Sequence, residues 1–166
     1  MMYLKWGLFL IPHALIMANR YWLSWVAVKF FSTEDKLQLT HGWGWFMTLD
    51  NPLSGDEGWQ KEHLIPGSHP LFEQNKINWL RRNGGNSFNY NQIGVDYDKW
   101  FVFDNWMIQD TQNFWKRPDG AWQFRAKVKI PFIKRVWTPY IGWGLFGPVE
   151  NRCKFTCTIL RFNKIG

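Results

Sequence analysis

Residues 6–31 read WGLFLIPHALIMANRYWLSWVAVKFF, a mostly apolar run with no acidic residue. Such a run must be kept from water, and the ways of doing so are few. A helix that crosses the hydrocarbon core of a bilayer needs about 20 predominantly apolar residues. Here Pro12–His13 and Asn19–Arg20 interrupt the run, and the longest stretch without charge is Trp6 to Asn19. An arginine at the bilayer centre costs about 2.5–3.5 kcal/mol on insertion scales. Three placements therefore compete. The segment spans, with Arg20 snorkelling to a headgroup. Or it lies in the interface with Trp6, Tyr21, Trp22 and Trp25 at headgroup level and Lys5, Arg20 and Lys29 outward. Or it covers the rest of the chain as an apolar helix. A cleaved signal peptide fits less well, because aromatic residues continue to Phe31 and no small-residue cleavage site follows. The membrane placements are favoured. The excess of Lys and Arg after residue 19 directs the bulk of the chain to the cytoplasmic side.

Charge is divided along the chain. Residues 1–31 sum to +3, residues 32–115 to −5 and residues 116–166 to +9. An acidic middle and a basic end can neutralise each other, or the basic end can face phosphate on nucleic acid or lipid. With 166 residues and 19% aromatic content the chain is neither disordered nor large enough for several domains. Two cysteines exclude a disulfide scaffold, and no Cys/His spacing matches a zinc finger.

The stretch THGWGWFMTLDNPLSGDEGW (40–59) is dense in Gly, Pro, Asn and Asp and predicts turns and loop. Residues 71–82 carry the spacing of a short amphipathic helix that stops before Asn83–Gly84–Gly85. The segments 99–109, 121–132, 136–146 and 152–162 are rich in aromatic and β-branched residues with a period near two. They predict an antiparallel meander of about four strands, with Asp119–Gly120 as a tight turn. In 121–132 the pattern sets Trp122, Phe124, Ala126, Val128 and Ile130 on one face and Gln123, Arg125, Lys127 and Lys129 on the other. Cys153, Phe155, Cys157 and Ile159 share the buried side of the last strand. The two cysteines lie about 13 Å apart along it, too far to bridge, and are read as reduced thiols.

Several motifs carry a resemblance. Thr48-Leu49-Asp50-Asn51-Pro52-Leu53-Ser54-Gly55-Asp56-Glu57-Gly58-Trp59, then Trp79-Leu80-Arg81-Arg82-Asn83 leading to Phe88, then Gly142-Trp143-Gly144-Leu145, follow the apolar N-terminus in order. Over residues 1–146 the chain is similar to a family of small, uncharacterised tailed-bacteriophage proteins. Relatives carry Arg-Asn-Pro before a Gly-Phe, whereas this chain has Arg82-Asn83-Gly84-Gly85-Asn86-Ser87-Phe88. The resemblance implies phage origin and membrane association, and it transfers no catalytic residue.

The chain thus reads as α+β. Residues 1–31 form an apolar, membrane-associated helix, and residues 32–166 form one small domain. Within that domain 32–98 is loop and short helix, and 99–164 is the sheet. Candidate interface residues are Trp6, Arg20, Trp22, Trp25 and Lys29. Arg125, Lys127, Lys129 and Lys154 make a candidate face for an anionic partner, with lipid ahead of nucleic acid. Asp50, Asp56, Glu57 and His63 are the candidate acid–base or metal-binding groups. Turn capping is the more economical role for the three acids, and His41 and His69 add no forced ligand geometry. No P-loop, nucleophile elbow or Cys–His pair is present, and no cofactor is called for. The expectation is a phage-encoded, non-enzymatic accessory protein at the host inner membrane, with lipid as partner and a host or phage protein as a further one. A metal-dependent enzyme at the membrane surface and a virion component are the alternatives.

Overall fold

The computed structural model describes residues 2–97, 107–108, 114–117, 119–146, 148–159 and 161–164. The chain divides into two units, Tyr3–Ile93 and Gly94–Gly166. The sequence placed its boundary at residue 31, but the first helix belongs to the first unit.

That helix, α1, runs Met2–Phe31 without a break and tolerates Pro12 inside it. Its buried face carries His13, Ile16, Ser24, Ala27 and Val28. Ile16, Ala27 and Val28 join Leu39, Phe46, Met47, Leu53, Trp59, Ile77, Trp79 and Leu80 in one core. Two polar ties fix the helix on this core: His13 Nδ1 donates to Asn89 Oδ1 at 2.7 Å, and Arg20 Nη1 donates to the Arg82 carbonyl at 2.9 Å. A 3₁₀ turn His41–Phe46 follows, and Trp43 stacks on Phe31 with ring centroids 4.6 Å apart. Helix α2 is Glu57–His63, which the sequence read as loop. Helix α3 is Glu73–Asn83, within a residue or two of the expected 71–82. A single turn α4, Asn86–Phe88, and a wide π turn, Asn89–Ile93, close the unit.

Among the described residues every strand pairing of the second unit is antiparallel. Strands β1 (Val95–Asp96) and β8 (Arg152–Cys153) pair, and Arg152 Nη1 meets Asp96 Oδ1 at 2.6 Å. A five-stranded sheet has the order β2 (Met107–Ile108), β3 (Phe114–Lys116), β4 (Trp122–Arg125), β7 (Tyr140–Trp143), β9 (Phe155–Thr158). A three-stranded sheet has the order β5 (Val128–Lys129), β6 (Arg135–Trp137), β10 (Phe162–Lys164). The two sheets share a plan. The runs β4–β5, β6–β7 and β9–β10 lie side by side in the same lateral order on both, as one ribbon that changes sheet near Ala126–Lys127, near Thr138–Pro139 and after Ile159. Pro139 is buried at this level and offers no amide to a ladder.

The expected antiparallel sheet is present, with segments 121–132, 136–146 and 152–162 adjacent in that order; most of the first expected strand, residues 99–106 and 109, lies outside the described residues, and two differences stand out. Strand β3 is an additional member, joined to β4 by the Asp119–Gly120 turn, where the Arg117 amide donates to the Ala121 carbonyl at 2.7 Å. The long strands are bent, so their alternation does not run through. Gln123 is 2% exposed, not outward, and its Oε1 accepts the Leu145 amide at 2.9 Å. Val128 and Ile159 are exposed, not core. Cys153 and Cys157 are both free, and burial pushes the Cys153 thiol up to about 11.

Candidate functional site: the outward face of the first helix

An α-helix turns about 100° per residue, so Leu4, Leu8, Ile11, Leu15, Trp22 and Trp25 fall within roughly a 100° arc of α1. All six are exposed, between 46% and 70%. They span about 32 Å along the axis, on the side opposite His13, Ile16, Ser24 and Ala27. One face of α1, apolar apart from His13, Arg20 and Ser24, is filled by the core, and the other carries a Leu/Ile stripe that continues past Ala18 to two tryptophans. Isolated exposed apolar residues need no explanation, but a continuous stripe of this length marks an interaction surface. Beside it, Arg81 lies over the exposed Tyr21 ring at 3.9 Å from the centroid. Trp22 Nε1 donates to Asn19 Oδ1 at 2.8 Å.

The expected interface residues separate accordingly. Trp22, Trp25 and Lys29 are outward, and Lys29 ends the stripe within 3.6 Å of Glu73. Trp6 is half-buried. Arg20 turns inward to the Arg82 carbonyl, and burial lowers its pKa. The spanning placement is corrected at this point. Among the described residues no helix is long and apolar enough to cross a membrane. The reason is that α1 reserves one face for His13, Arg20 and Ser24, whose partners are protein groups.

The candidate acid–base residues do not come together. Asp50 is exposed, and Glu57 is exposed in the first turn of α2. Asp56 is the N-cap of α2, its Oδ1 accepting the Trp59 amide at 2.8 Å. His63 Nε2 lies 3.0 Å from Arg82 Nη1, with its ring stacked on Trp59. His69 Nδ1 accepts the Leu71 amide at 3.1 Å, and the His41 side chain lies outside the described residues. Among the described residues no three His, Cys, Asp or Glu side chains are grouped to hold a metal ion. A shallow cleft of about 270 Å³ beside α2 gathers Asp56, Glu62, Trp79, Arg82 and Asn83, of which the sequence had named only Asp56 as a candidate acid–base group.

The DNPLSGDEGW stretch owes its composition to packing. Thr48 Oγ1 donates to the Asn51 carbonyl at 2.6 Å, and Leu53 is fully buried. A Cβ on Gly55 (φ +76°) would meet the Trp59 and Trp79 rings at 2.9 Å. Asp56 caps, and Trp59 fills the core.

In the second unit the proposed anionic-partner residues lie on different elements. Arg125 ends β4 with its guanidinium 5.7 Å from the Tyr140 ring centroid. Lys127 and Lys129 lie past the bend and are exposed. Lys154 is half-buried beside the far end of the ribbon, where its carbonyl accepts the Gly144 amide at 2.8 Å. The exposed apolar surface past the bend, at Val128, Phe132, Ile133 and Phe162, escaped the sequence reading. The signal was present in Lys129-Ile130-Pro131-Phe132-Ile133-Lys134-Arg135, where Pro inside a supposed strand marks a turn.

Across residues 1–165 the chain matches, and belongs to, the Family of unknown function (DUF7338). No curated protein and no solved structure matches it.

Proposed function

We propose that this member of the family is a phage-encoded peripheral membrane protein, a non-enzymatic accessory factor on the cytoplasmic face of the host inner membrane. It is held there by α1 lying in the interface. The observation that carries the reading is the stripe Leu4–Leu8–Ile11–Leu15–Trp22–Trp25, exposed on a helix whose other face is already occupied. A helix lying in the membrane plane buries its apolar face at the headgroup boundary and prefers Trp and Leu on that face. Two free thiols suit a reducing compartment, and the resemblance to phage proteins supports a phage origin.

Burying each half-exposed Leu contributes about 1–2 kcal/mol, so each Leu→Ser change weakens binding about tenfold. The test is co-sedimentation of the full chain with phosphatidylcholine vesicles, wild type against Leu8→Ser and Leu15→Ser. Deleting residues 1–31 would be uninformative, since Ile16, Ala27 and Val28 would leave the core with them. Loss of pelleting with unchanged circular dichroism supports the reading. Undiminished pelleting of the double variant refutes it.

A further inference from the structure

We propose that the small sheet past the bend, with the tip Pro131–Lys134, is a docking surface for a bilayer containing anionic phospholipid. The register aligns Val128, Trp137 and Phe162 in one cross-strand row. Val128 is 45% and Phe162 42% exposed. Not one of residues 127–138 or 161–163 is buried. A three-stranded sheet with apolar residues in register that no described residue buries is, among the described residues, an uncovered surface.

At the tip Phe132 is wholly exposed and Ile133 half-exposed. Phe132 adopts φ +68°, a region costly for a bulky residue. The turn is closed by Ile130 N donating to the Arg135 carbonyl at 3.1 Å. Strain that presents an aromatic ring to solvent, instead of to a core, points to a role outside the fold.

Charge selects the occupant. Lys127, Lys129, Lys134, Arg135 and Arg161 surround this apolar end and are exposed. The sequence has no Asp or Glu from residue 120 to 149 or from 151 to 166. Anionic headgroups attract each such base, and the apolar tip enters the layer beneath them. Single-stranded nucleic acid fits less well. It is held by aromatic stacking along a basic groove, whereas the protruding residues here include the aliphatic Ile133 and Val128, which offer no ring.

The inference extends the membrane reading and rests on different residues, so the two can fail separately. The full chain is sedimented with vesicles of phosphatidylcholine alone and of phosphatidylcholine mixed with phosphatidylglycerol. Wild type should bind the mixed vesicles at least about tenfold more tightly, and added salt should close the gap. Phe132→Ser with Ile133→Ser should lower binding to the mixed vesicles by about tenfold to a hundredfold. Lys129→Gln and Lys134→Gln should each lose about fivefold on mixed vesicles and nothing on neutral ones. The Leu8→Ser/Leu15→Ser protein should keep the preference for the anionic mixture. Equal binding of wild type to both vesicle types, or tip variants that bind as wild type does, overturns the proposal and leaves the α1 reading standing. Tip-dependent binding with an indifferent α1 stripe does the reverse. Retention of a single-stranded oligonucleotide in place of vesicles overturns it in favour of nucleic acid. All exchanged residues are exposed, so matching melting curves confirm intact folds.

Discussion

Gly85 gives the sharpest test of how the first unit is packed. It leaves α3 with φ +83°, and its amide donates to the Phe46 carbonyl at 2.8 Å. A Cβ placed there would lie 2.6 Å from Ile16 Cγ2 and 3.2 Å from Met17 Cε. Ile16 is a core residue of α1, 8% exposed, and has no free space to retreat into. Gly85→Ala therefore adds two costs. A Cβ in the left-handed region costs about 1–2 kcal/mol, and forcing it against the core adds about 1–3 kcal/mol. The sum, about 2–5 kcal/mol, is a large part of the 5–15 kcal/mol typical of a domain. In a unit of this size it lowers the melting temperature by about 8–40 °C. Gly67 is the control: its φ is +73° and nothing lies within 4 Å of its Cβ position. Gly67→Ala carries the backbone cost alone, about 4–16 °C. Ile16→Leu removes Cγ2, and in the Gly85→Ala background it should recover part of the loss. Melting followed by far-ultraviolet circular dichroism measures all four proteins. Equal losses at Gly85 and Gly67, with no coupling to position 16, would refute the argument that the turn is pressed against α1.

Two further outcomes are expected. Asp56→Ala should cost about 1 kcal/mol as a lost N-cap, and Asp56→Asn or Asp56→Ser should restore most of it; a loss that neither replacement recovers would show that Asp56 has another task. Burial is the main cause lowering the His13 pKa, the Asn89 hydrogen bond opposes it, and the Arg20 charge adds to the lowering. The unfolded chain therefore takes up this proton first, below its ordinary value of about 6.5. Stability is full above that pH and falls as pH drops through the folded value. Melting at about pH 8 and about pH 5 should show the decline, and His13→Gln should flatten part of it; an unchanged slope would refute the assignment.

How much was legible differs by region. The 3.6 period of Ile77, Trp79 and Leu80 and the glycines after Asn83 located α3, because local pattern and local stop signal agree. Helix α2 was hidden, since its only apolar anchor is Trp59 and its start is signalled by an Asp that also suits a turn. In α1 the composition reads as apolar all round, and only the packing of His13 against Asn89 and Arg20 against Arg82 separates the core face from the outward one. Those ties cross 76 and 62 residues of sequence, beyond any local rule. The strand segments were visible by composition, but the inward turn of Gln123 depends on the Leu145 amide it meets. The bend depends on Pro139, which a period-two reading steps over.

That bend has a mechanical consequence. Three chain runs leave one sheet and enter the other at a common level, so the outer part acts as a lever arm fastened at its base. From Pro139 to Phe132 the arm is about 23 Å long. A rotation of about 10° at the base, resisted by the Ala126–Pro139 and Thr138–Arg161 backbone hydrogen bonds there, would displace the tip by about 4 Å. An aromatic ring carried on such an arm can follow an uneven or undulating surface without any rearrangement at Trp143 and Phe155.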